Sequence, residues 1–62
     1  MPLTKRQKNE IMSIISRTLS TTGTIISMMN INKMCKEVET AVESGEDAAT
    51  AAARIVPTYN EA

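Results

Sequence analysis

Apolar side chains recur at helical spacing along three stretches of the chain. In the first, Ile11, Met12, Ile15 and Leu19, flanked by Ile14 and Thr18, share one broad face. Arg6, Glu10, Ser13 and Arg17 share the opposite one. Thr4, with Gln7 three positions later, has the pattern of a capping box, in which each side chain satisfies the other's backbone N–H. A helix over about residues 5–20 is therefore predicted. Ser20-Thr21-Thr22-Gly23 then breaks the pattern: hydroxyl side chains compete for backbone hydrogen bonds, and Gly23 can take the left-handed conformation that ends a helix.

A second helix is predicted over about residues 24–44, closed by Gly45. Met28, Ile31, Cys35, Val38 and Val42 advance by alternate threes and fours, the spacing of a coiled-coil seam, and Met34 and Ala41 widen it. A third, alanine-rich helix over about 47–56 is capped by Glu46 or Asp47 and stopped by Pro57. Its Ala48, Ala49, Ala51, Ala52, Ile55 and Val56 cover most of its circumference, but each alanine offers little area. Residues 58–62 show no periodicity and read as a flexible tail.

One segment does not fit a single stripe. Ile25, Ile26 and Met29 project from the side opposite Ile31, Cys35 and Val38 if the second helix is continuous. Either the helix breaks near Asn30, which with Asn32 is a capable N-cap, or its first turns are enclosed on both sides. Enclosure is the preferred reading, because the residues from Met28 to Lys33 include no Gly or Pro. It asks for company on a second side: helix 3, another copy of the chain, or a partner.

Composition sharpens that demand. The chain has 62 residues, no Phe or Trp, a single Tyr (Tyr59), a single Cys (Cys35) and no His. So small a chain buries a low fraction of its surface, and aromatic side chains, the largest contributors to most cores, are nearly missing. Small scaffolds ordinarily rely on a disulfide, a metal or a second chain. One cysteine without histidine leaves association. Five Met, a flexible and polarizable residue, suit a surface that must adapt to a partner.

Net charge is zero but divided. Residues 1–36 carry six cations against one acid, a net +5, and residues 37–62 carry six acids against one cation, a net −5. Such a split can set the register of two copies or mark a basic end for phosphate. Catalysis finds little support. There is no His for general acid–base work. Nothing in the pattern would desolvate the carboxylates between Glu37 and Asp47. Cys35 has Ile31 and Val38 as its stripe neighbours and reads as a small hydrophobe. A helix-turn-helix with Gly45 in its turn would lead into the groove with Glu46 and Asp47. With Gly23 in the turn, the reading helix has no cation before Lys33.

The resulting expectation is an all-α protein. A helical hairpin plus a short alanine-rich third helix forms one domain over residues 1–57, completed by dimerisation or a partner. It would be cytoplasmic, with no membrane span, no cofactor, no metal and no small-molecule substrate. Its expected function is that of a non-enzymatic regulator or adaptor acting by protein–protein interaction through Ile25, Ile26, Met29, Ile31 and Val38. The alternative is a small dimeric nucleic-acid-binding regulator that uses Lys5, Arg6 and Lys8.

Overall fold

Local hydrogen bonding decides where each helix starts and stops. In the computed structural model, which describes residues 2–62, α1 spans Lys5–Thr22, α2 spans Met28–Glu43 and α3 spans Ala48–Ile55, followed by a 3-10 turn over Val56–Tyr59. Met1, the fifth methionine and the first position of the expected domain, lies outside the described residues.

The capping box forms as anticipated. The Gln7 N–H donates to Thr4 Oγ1 (3.1 Å), and the Thr4 N–H donates to Gln7 Oε1 (2.8 Å). The helix runs on through the Ser/Thr tract instead of stopping at residue 20, because the tract's hydroxyls turn back on their own helix. Thr18, Thr21 and Thr22 each donate to the carbonyl four residues earlier, which removes their competition with the helical ladder. Gly23, at φ 65°, then ends α1, with its N–H and that of Thr24 both reaching the Leu19 carbonyl.

The second helix begins four residues later than expected. Thr24–Ser27 is not helical: the Thr24 N–H belongs to the end of α1, and Ile25 gives both its backbone groups to residues 60 and 61. This answers the two-sided pattern, by neither a break at Asn30 nor an enclosed helix. Ile25 and Ile26 precede the helix, so helical spacing does not decide where their side chains go. Ile26 packs against the core and Ile25 stands 61% exposed.

The core is closed from within the chain. Ile11 and Ile15 of α1, Met34 and Val38 of α2, Ala51, Ala52 and Ile55 of α3, and Val56 form its buried cluster. Helix α3 and the residue after it supply four of these eight, although its alanines looked unable to furnish a surface. The reason is proximity: side chains this small let α3 sit close against both α1 and α2. The radius of gyration is 10.8 Å, close to the roughly 10.6 Å expected of a compact chain of this length. No side-chain polar atom among the described residues is buried without a partner. The α2 stripe is rotated from the expected seam: Met34 and Val38 are fully buried, Ile31, Cys35, Ala41 and Val42 flank them, and Met28 is out in solvent.

Candidate functional site

The hairpin of α1 and α2 has two ends of different character. At one, the start of α1 lies beside the end of α2, and a groove of about 560 Å³ is lined by Pro2, Leu3, Thr4, Gln7, Val42 and Glu43. Lys5, Arg6 and Lys8 are exposed on the first turns of α1, and Arg6 reaches Glu10 at 4.0 Å across one turn. No acid stands in that first turn. Glu43 is the acid that lines the groove.

At the other end, the chain leaves Gly23, runs without helix through Thr24–Ser27, where Ser27 is extended, and enters α2. Here the apolar exposure concentrates. Met28 is 87% and Met29 84% exposed, and with Ile25 they are three of the four exposed large hydrophobics among the described residues, Met12 on α1 being the fourth. Of the expected contact residues, the structure leaves Ile25 and Met29 accessible, holds Ile26 and Ile31 half-buried against the core, and seals Val38 at 0% exposure. Val38 is therefore a packing residue between the helices, out of reach of any partner while the bundle is closed. Met28, which the heptad-like spacing places in the seam, is instead exposed. It emerges because α2 starts there, so its first turn extends past the core.

This end also receives the residues that follow the 3-10 turn, which the sequence left as a tail. The Ile25 N–H donates to Asn60 Oδ1 (3.0 Å), and the Glu61 N–H donates to the Ile25 carbonyl (2.7 Å). Oε2 of Glu61 accepts from the Ser27 N–H (3.1 Å), from Ser27 Oγ (3.1 Å) and from Asn30 Nδ2 (2.8 Å). Ser27 is the N-cap of α2 yet makes no side-chain capping bond of its own. The Glu61 carboxylate sits beside this helix start without bonding the N–H groups of its first turn, in a position where the partial positive charge of the helix favours an anion. The Asn30 amide, then the Ser27 N–H and hydroxyl, hold the Glu61 carboxyl below the usual carboxylate range. Local periodicity does not report the contacts of Asn60 and Glu61, because their partners lie 31 to 36 residues away.

Several other titratable groups make contacts within the fold. Arg54 grips Glu46 with two nitrogens, Nε to Oε2 at 3.1 Å and Nη2 to Oε1 at 2.7 Å, a fork geometry that lowers the Glu46 carboxyl through the hydrogen bond. Asp47 caps α3 through the Thr50 N–H, which leaves Glu46 free for Arg54. Tyr59 donates its hydroxyl to Glu37 Oε1 at 3.2 Å, and partial desolvation and the Glu37 charge push the phenol up. Cys35 is half-buried, and that burial, with Glu39 nearby, pushes its thiol up and away from the reactive thiolate. Among the described residues no three His, Cys, Asp or Glu side chains converge to hold a metal ion, and no helix is long and apolar enough to cross a membrane. Comparison of the chain with protein-family models, with curated proteins and with solved structures gave no match.

Proposed function

We propose that this chain is a small regulatory or adaptor protein that performs no bond-making chemistry and acts by protein–protein interaction. The contact surface is the start of α2, with Ile25, Met28 and Met29 as its apolar anchors and Ile26 and Ile31 supporting them from below. The observation that carries this reading is the exposure of both methionines in a chain whose core is otherwise closed. Large apolar side chains gathered in one place mark interaction surfaces more often than scattered ones do. Methionine also adapts to the shape it meets at little cost. The mechanism is occupancy: the chain covers a surface on another protein, or on a second copy of itself, and alters what can reach it.

The test compares the chain with its Met28→Ser/Met29→Ser variant, first by sedimentation at micromolar concentration and then as bait in a pull-down. Both side chains lie outside the core, so the variant should unfold at the same midpoint as the parent. The reading expects a protein, or a self-associated form, present with the parent and lost with the variant. Identical captures and identical sedimentation for the two chains would remove the surface from consideration.

A second reading rests on the exposed cations at the start of α1. Lys5, Arg6 and Lys8 would contact phosphate without reading bases, and three such contacts give a log–log salt slope of at most about −2.7. The nearby Glu43, at the rim of the same groove, works against a polyanion and ranks this reading second. Duplex DNA that fails to bind at low salt would eliminate it.

A further inference from the structure

Residues 60–62 contribute no buried side chain. Past Tyr59 the chain stays in place through hydrogen bonds that water can compete for. Yet those bonds form a set that would recognise a polypeptide ligand. A non-helical stretch of backbone offers one N–H and one carbonyl, both at Ile25. The start of a helix offers Ser27 N–H, Ser27 Oγ and Asn30 Nδ2, three donors converging on a single carboxylate oxygen. Ile25, Met28 and Met29 stand exposed in the same stretch of chain. We propose that residues 25–30 are a recognition edge for an extended peptide segment bearing an acidic side chain, and that the chain's own Asn60–Glu61 fills this edge in cis and must detach before a partner's segment is seated.

This deepens the protein-interaction reading above and rests on it, since it supplies the chemical class of the partner and a self-occupying contact that regulates access. Backbone pairing to an extended segment gives such recognition its affinity, while side-chain pockets give it selectivity. Here the selective element is the carboxylate. An asparagine or aspartate one position ahead would reproduce the acceptor that Asn60 offers to the Ile25 N–H. A segment already attached to the chain competes at an effective concentration in the millimolar range, so occupancy in cis holds weak ligands off.

The experiment uses the full chain, its Asn60→Ala/Glu61→Ala variant, and a synthetic peptide with the sequence of residues 56–62. Amide chemical shifts of Ile25, Ser27 and Asn30 are followed as peptide is added. The expected result is saturable movement of those signals in the variant, at least about tenfold more peptide required by the parent, and no movement with a peptide carrying Gln in place of Glu. A variant whose signals stay still up to about 10 mM peptide, well above the effective concentration in cis, overturns the proposal. So does equal response to the glutamine peptide. If the double variant loses helicity, Glu61→Gln in the full chain provides the same test. Ser27 amide exchange should then rise by about tenfold, the factor carried by one charge-assisted hydrogen bond, while core amides keep their rates. Exchange that rises at Ser27 and in the core together overturns it. Because Met28 and Met29 stay intact throughout, failure of the edge leaves the methionine pull-down to judge the wider reading separately.

Discussion

Val38 separates a partner-contact role from a packing role, so Val38→Ala tests the fold directly. The side chain is fully buried, in a cluster with Met34, Ile11, Ile15, Ala51, Ala52, Ile55 and Val56. Truncation to alanine removes two methyl groups from an apolar interior, at about 0.8 kcal/mol each. Incomplete collapse around the vacated space raises the loss to about 2–2.5 kcal/mol. A chain of this length has a total stability of about 3–9 kcal/mol, so the variant forfeits about a fifth of it or more. With a urea m-value near 1 kcal/mol/M, as befits so small a domain, the midpoint should fall by roughly 2 M at unchanged slope. Met29→Ala, on an 84% exposed side chain of the same helix, should stay within about 0.5 kcal/mol of the parent.

The assay is urea unfolding followed by helical ellipticity, repeated over a hundredfold range of protein concentration. If the bundle stands on its own packing, the parent midpoint does not move with concentration, because no association is linked to folding. A Val38→Ala midpoint within about 0.5 M of the parent would refute the placement of Val38 in an intrachain core. A loss that appears only at high protein concentration would do so as well, since it would put Val38 between copies.

Two further measurements probe the chain's turns and its charges. Gly23→Ala should cost about 1–2 kcal/mol in thermal or urea unfolding, because φ 65° is left-handed backbone while nothing within 4 Å would obstruct the added methyl group; an unchanged midpoint would mean that α1 ends differently. Glu61 and Glu46 both ionise more readily in the folded chain than in the unfolded one, so each adds stability that is present above the ordinary carboxylate range and is lost as pH falls through the lowered folded value. The urea midpoint should therefore hold from pH 7 to about 5, fall below about pH 4, and fall less steeply in Glu61→Gln.

The parts of the fold legible in the sequence are those whose chemistry is settled within four residues. Thr4 and Gln7 cap each other across three positions, and Gly23 and Asp47 act at the ends they adjoin. The main faces of α1 and α2 follow from spacing, so Ile11, Ile15, Ile31 and Cys35 sit where periodicity puts them, buried in or packed against the core. What escaped depends on distant partners or on close approach. A Ser/Thr tract looks like a break until its hydroxyls are seen donating back along the helix. A run of alanines looks too small to form a core until two helices close around it. Ile25 seemed to be a helix position because nothing local reveals that Asn60 and Glu61 take both its backbone groups.

The divided charge acquires a different sense once the hairpin is folded. Lys5 and Lys8 lie where the α1 dipole is positive, and Glu43 lies where the α2 dipole is negative, so each is mildly misplaced on its own helix. Antiparallel packing sets these ends side by side around the groove of Thr4, Gln7, Val42 and Glu43. The ion pairs among the described residues are Arg6–Glu10 and Arg54–Glu46, so no direct contact joins Lys5 or Lys8 to Glu43. Neither ion pair joins the basic half to the acidic half, so the split of +5 and −5 is not spent on ion pairs inside the chain. The methionines stand at the far end of the hairpin, beside a carboxylate that belongs to the chain itself. Charge substitutions at Lys5 or Lys8 should therefore leave that end's contacts intact, which makes the two candidate surfaces separable by mutation.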